Sequence, residues 1–154
     1  MSDNLFLQQA ITLARENVES GGRPFAALVV CNGEVVAKGT NQMLALSDPT
    51  AHAELMALRQ AGQTLGRVRL EDCIVYASGQ PCPMCLAAMR MAGISQIYYA
   101  YSNQDAEPFG LSTEAIAEAL RVAPQQQSGL TFKQLKPQHE EQPALYRFWH
   151  TSQQ

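Results

Sequence analysis

Residues Ile74–Tyr101 read IVYASGQPCPMCLAAMRMAGISQIYYAY, and this stretch decides the fold. Ile74 to Ala77 is a short apolar run with β-branched and aromatic side chains, the composition of a buried strand. Pro83 suits the first turn of a helix, where its missing N–H would have no intrahelical partner, and Cys82 stands at the cap position before it. Gly93 ends that helix, and Ile97 to Tyr101 is a second strand. Strand, helix and strand in so short a span predict a crossover between parallel neighbours.

The same reading extends in both directions. Upstream, Leu7, Ala10, Ile11, Ala14 and Val18 recur at helical spacing, which predicts a helix over Asp3 to Glu19, stopped by Ser20-Gly21-Gly22. Strands at Ala26 to Cys31 and Glu34 to Gly39 flank Asn32-Gly33, a strong signal for an antiparallel hairpin. Thr50 is placed to cap a helix running to about Ala61. Downstream, the pattern predicts a helix over Ser112 to Val122, a fifth strand over Thr131 to Leu135 and a last helix over Pro143 to His150. The expected architecture is α/β, a three-layer α/β/α arrangement with a mixed five-stranded sheet, in a single domain spanning residues 1–154.

Composition narrows the function classes. A chain of 154 residues with 46% hydrophobic and 16% charged residues can bury a core, which excludes a disordered tail-like protein. The longest apolar run, Phe25 to Cys31, is too short to span a bilayer, and Met1 to Gln9 lacks the pattern of a signal peptide. A cytoplasmic protein with no membrane association is therefore expected, and its four cysteines read as thiols or metal ligands rather than disulfides. The net charge of −3 and the absence of a Lys/Arg cluster argue against a nucleic-acid partner, whose phosphates call for a basic surface.

The chemistry is concentrated in Thr50-Ala-His-Ala-Glu54 and Pro81-Cys-Pro-Met-Cys85. Cys82 and Cys85, three apart at a helix start, can point the same way, and the helix N-terminus favours their thiolates. With His52 they make a one-nitrogen, two-sulfur donor set for Zn2+, which leaves a fourth tetrahedral position open, as catalytic zinc requires. Residues two apart in a regular helix face different directions, so His52 and Glu54 can converge only at a first turn that is not yet fully helical. There Glu54 can exchange a proton with a water in the open position and deliver it to a heteroaromatic ring and its departing amine.

His-x-Glu followed by Pro-Cys-x-x-Cys is the signature of zinc nucleobase deaminases. On these motifs, together with Pro24-Phe25, Gly39-Thr-Asn41 and Asp48-Pro-Thr, the chain resembles the cytidine/deoxycytidylate deaminase superfamily over nearly its full length. It is most similar to the branch containing bacterial guanine deaminase and tRNA adenosine deaminase. The resemblance implies a cytidine-deaminase-like fold and zinc-dependent hydrolysis of a cyclic amidine. The implied substrate is a free nucleobase, guanine or a guanine-like aminopurine or pterin. Alternatives are a tRNA adenosine-to-inosine deaminase or a pyrimidine base (cytosine) deaminase. It further implies Asn41, Phe25 and Ala53 as substrate-binding residues, and a homodimer, for which Leu86, Met89 and Met91 form the expected seam. Three positions depart from the branch's pattern: Gln80 replaces a Glu, Ala26 replaces a Gly, and an acidic substrate-side residue falls at Ser112 or Thr113.

Other residues carry plainer readings. Cys31 and Cys73 read as small buried hydrophobes, and Met84, Met89 and Met91 as core filling. Asp105 and Glu107 read as solvated loop charges, with recognition of the base's exocyclic groups as the alternative. His139, Glu140 and Glu141 read as a solvated tail, and Trp149 as either a lid or a dimer contact.

Overall fold

Asn32 and Gly33 have φ of 53° and 80°, the left-handed pair that a tight two-residue hairpin demands. They join β1 (Ala26–Cys31) to β2 (Glu34–Thr40). This computed structural model describes residues 2–139 and 142–153, so Glu140 and Glu141 lie outside the described residues. The other strands are β3 (Cys73–Gly79) and β4 (Gln96–Tyr101), and the order in the sheet is β2-β1-β3-β4. β1 runs antiparallel to both its neighbours, while β3 and β4 are parallel, connected through the helix between them as expected. The architecture is of the expected α/β class.

Helices cover both faces. α1 (Asp3–Glu19) packs Phe6 and Ala10 against Leu28, Val30 and Tyr76 on one face. Its first turn is tied to the sheet by a hydrogen bond from the Tyr76 hydroxyl to Asp3. On the other face, α3 (Ala53–Leu65) and α4 (Pro83–Met91) bury Ala57, Ala61, Cys85 and Met89 against Ala27, Val29, Val75 and Ala77. Every residue of β1 is consequently buried. The short helices α2 (Met43–Leu46), α5 (Asn103–Ala106) and α6 (Glu114–Ala119) lie in the connections.

The chain divides into two compact units, one ending at Ala119 and the other starting at Leu120. The second unit contains a short 3-10 turn at Pro124–Gln126 and α7 (Ala144–Ser152), whose Leu145, Tyr146, Phe148 and Trp149 are exposed.

Several expectations are corrected. The sheet has four strands among the described residues: Thr131 to Leu135 forms no strand, and Phe132 and Leu135 are exposed. Its local alternation found no neighbouring edge, and a strand depends on cross-strand packing as much as on propensity. The helix expected over Ser112 to Val122 forms only at Glu114–Ala119. Thr50 does not cap α3, because its N–H and hydroxyl are both held by the Asp48 carboxylate, at 2.8 and 2.7 Å. The cap residue is His52. The methionines divide: Met89 is core, whereas Met91 is exposed.

Candidate active site

The first turns of α3 and α4 meet at one end of the sheet, and each begins on an extended residue that bears a metal donor. His52 caps α3 with φ −69° and ψ 152°, and Cys82 caps α4 with φ −71° and ψ 168°. Pro83 takes the first helical position of α4, as its sequence suggested. Because His52 is extended while Glu54 already lies in the first turn, the two side chains can reach one centre.

Gly39 sets the depth of α3. A methyl group there would overlap the Ala53 carbonyl oxygen and lie 2.5 Å from the Ala57 nitrogen, so β2 touches the helix backbone directly. Ala53 is therefore fully buried where α3 meets β2.

The donor atoms are already at ligand spacing. His52 Nδ1 lies 3.5 Å from the Sγ atoms of both Cys82 and Cys85. With Zn–N of 2.0–2.1 Å and Zn–S of 2.3 Å, a tetrahedral ion would separate a nitrogen from a sulfur ligand by about 3.6 Å. The three residues therefore fit zinc without rearrangement, and they supply three of four ligands.

Electrostatics agree with this geometry. The Cys82 thiol is lowered to about 4, first by the hydrogen bond from Cys85 and next by that with His52. Cys85 is raised, first because it holds the proton shared with Cys82 and then by burial. His52 is raised, chiefly by its hydrogen bond with Cys82. One thiolate, one thiol and an imidazole thus share protons that a divalent cation would displace. Burial pushes Glu54 up to about 7, and a cation beside it would draw it back toward the ionised form.

A cavity of about 180 Å³ opens on this cluster, and His52, Glu54, Cys82, Asn41 and Phe25 all lie on its wall. A larger groove of about 490 Å³ adjoins it, sharing Phe25, Gln80 and Leu111, but none of the metal donors lines it. Asn41 is buried, with its orientation set by three bonds. Its N–H donates to the Phe25 carbonyl at 3.1 Å, its Oδ1 accepts from the Met43 N–H at 3.1 Å, and its own carbonyl accepts from Asn17 Nδ2 at 3.1 Å. The side-chain oxygen is engaged and Nδ2 donates one N–H to Met43 Sδ at 3.4 Å, which leaves the other N–H to offer the cavity.

The family match follows the same motifs. Residues 1–101 match the model of the cytidine and deoxycytidylate deaminase zinc-binding region. The chain belongs to this family. It is a zinc-dependent hydrolytic deaminase. It is 44% identical over 117 residues to guanine deaminase from Bacillus subtilis (strain 168), covering 75% of each protein. The solved structure of the Bacillus subtilis guanine deaminase superposes with a TM-score of 0.88 at 35% identity, covering 98% of this chain and 95% of that one. A tRNA-specific adenosine deaminase from Aquifex aeolicus is 35% identical over 99 residues, 64% of this chain and 66% of that protein.

Within this deaminase the departures have structural settings. Gln80 Oε1 accepts the Asn103 N–H at 2.8 Å, and Asn103 Oδ1 accepts from the N–H and hydroxyl of Thr113 at 3.2 and 3.3 Å. Gln80 thus braces the segment that brings Ser112 and Thr113 to the cavity wall. Ala26 is buried in β1, its N–H donating to Ser78 Oγ at 3.0 Å. Asp105 completes a capping box with Ser102 at the start of α5, and neither it nor Glu107 lines the cavity.

Sequence reasoning missed Asn17. Buried on α1, it donates from Nδ2 to the carbonyls of Arg23 (2.8 Å) and Asn41 (3.1 Å), joining the segment before Phe25 to the one after β2. The only signal was an amide on the side of the helix that faces the sheet.

Proposed function

We propose that this deaminase acts on a free purine base, guanine or a guanine-like aminopurine or pterin, with His52, Cys82 and Cys85 holding the zinc and Glu54 carrying protons. The observation that carries the reading is the juxtaposition, in one small cavity, of the zinc donor set, a buried carboxyl and the Asn41 amide. At about 180 Å³ the cavity lies below the range of roughly 300–1,000 Å³ usual for drug-sized ligands, and a single flat heterocycle suits it. The similarity to guanine deaminase over most of both chains supports the choice of base.

Zinc, when bound, supplies the Lewis acidity that makes water nucleophilic near neutral pH. Glu54 takes the attacking water's first proton and delivers it to the adjacent ring nitrogen, then carries the second, from the newly formed hydroxyl, to the exocyclic amine. The carbon–nitrogen bond breaks, so that base and water become the oxo-base and ammonia. Asn41 offers an N–H to an acceptor on the ring's edge, and Phe25 packs beside the ring. Neither acts on the reacting carbon.

We read residues 1–154 as one deaminase domain of a cytoplasmic homodimer. No described helix is long and apolar enough to cross a membrane. Exposed Leu86 and Met91 remain available for pairing, whereas Met89 is buried in the core. Light scattering at micromolar concentration should report twice the chain mass. A particle of single-chain mass would remove the dimer.

The test of substrate class is ammonia release from guanine, other aminopurines, pterins and cytosine, run beside inosine formation in an anticodon stem-loop. Release from guanine-like bases without inosine is the expected result. Inosine formation without free-base activity would establish the tRNA reading instead.

A further inference from the structure

A second pair of cysteines closes the opposite end of the same two strands. Cys31 and Cys73 are directly opposed in the β1–β3 register. Cys31 also ends β1 at the two-residue hairpin turn, paired with Glu34, so its backbone groups face β2. The Cys73 N–H bonds instead to the Leu70 carbonyl at 3.0 Å. The pair is therefore of the non-hydrogen-bonded kind, in which Cα atoms stand about 4.5 Å apart and side chains approach closely. Both thiols are buried on the face covered by α3 and α4.

Asp72 adds a third donor. Its Oδ2 lies 3.4 Å from Cys31 Sγ and its Oδ1 3.7 Å from Cys73 Sγ, and one donor atom from each residue lies within 4.8 Å of the others. A tetrahedral zinc-sized ion with sulfur and oxygen ligands has donor separations of about 3.5–3.8 Å. Arg67 holds the carboxylate in place through Nη2, which donates to both oxygens at 2.9 and 3.0 Å, while its Nη1 donates to the Arg69 carbonyl at 2.7 Å. The Asp72 side chain is 48% exposed and leaves an approach for an ion.

We propose that Cys31, Cys73 and Asp72 form a second cation site, for a thiophilic divalent ion of the zinc or cadmium class. Soft thiolates select such ions over magnesium or calcium. Binding is an exchange: the two S–H groups release two protons to solvent, two metal–sulfur bonds form, and the carboxylate and a water complete the shell. Charge balances, since two thiolates offset the divalent ion while Asp72 remains paired with Arg67. Because both thiols must give up their protons to bind the ion, uptake strengthens as pH rises. The bound ion would clamp β1 to β3 and to the 67–72 turn, roughly 20 Å along the strands from the active site.

The test is a metal count on the full-length zinc-loaded protein, kept reduced with a phosphine, incubated with excess cadmium and desalted. Wild type should hold about two metals per chain, and its unfolding temperature should rise on loading. Cys31→Ser, which keeps a hydroxyl donor for Asp72, should hold about one and show no rise, with ammonia release unchanged. Asp72→Asn, at an exposed position that spares the core, should lose most of the second equivalent at limiting cadmium. Wild type remaining at one metal per chain, or equal uptake by wild type and Cys31→Ser, overturns the proposal. Because Cys85→Ala removes the other metal, the two sites are counted separately.

Discussion

Cys31 and Cys73 close one end of the β1–β3 pair, the other end of β3 leads into Cys82 and Cys85, and the two places differ in the carboxylate beside the thiols. At one end Glu54 is buried, and its pKa is pushed up to about 7 by that burial. At the other, Asp72 is exposed, and Arg67 holds it below the ordinary carboxylate range. A buried carboxyl facing the cavity stands where it can exchange a proton with water and substrate, whereas an exposed carboxylate held by an arginine only accepts hydrogen bonds. The cavity belongs to the first end, where Asn41 and Phe25 wait beside the donors. Thiols at ligand spacing make a place for a metal, and it takes a buried acid and an open face to make a reaction.

The sharpest way to break this comparison is to remove one thiol from each end. Cys85→Ala should lose both the zinc and all measurable ammonia release, because two ligands cannot retain the ion. Zinc retained at the wild-type level in that variant would show that the His52 cluster is not the catalytic centre. Cys73→Ser, by contrast, should leave turnover intact.

A smaller effect is expected at Asn41. With the amide removed, the base's edge meets no donor, and kcat/KM should fall by the equivalent of about 1–3 kcal/mol, with zinc content normal. Unchanged efficiency toward the best substrate would reduce Asn41 to a turn residue. Asn17→Ala should cost less in catalysis. It leaves the carbonyls of Arg23 and Asn41 without their shared donor, so KM should rise several-fold while kcat and zinc stay close to wild type. A loss confined to thermal stability would make Asn17 a fold residue only.

Much of this was legible in the sequence where the signal is local. Asp3–Glu19 and Ala26–Cys31 form with the bounds their periodicity gives, and Asn32-Gly33 makes the turn it promises. The His52, Glu54, Cys82 and Cys85 set was legible because each half of it starts a helix, where cap chemistry is local. Features that depend on partners far along the chain were not. Thr131 to Leu135 alternates like a strand yet pairs with nothing among the described residues. Asn17 gains meaning only when α1 packs beside Asn41. Cys31 and Cys73 read as small hydrophobes until the sheet register sets them face to face.

The central claim is that Glu54 moves the protons at a zinc held by His52, Cys82 and Cys85. The direct measurement is zinc content and ammonia release on the same preparation of Glu54→Gln protein. The amide preserves shape but cannot exchange a proton, so zinc should stay near one per chain at the active site while turnover drops by at least about 10²-fold. Turnover near the wild-type rate with zinc in place would contradict the account.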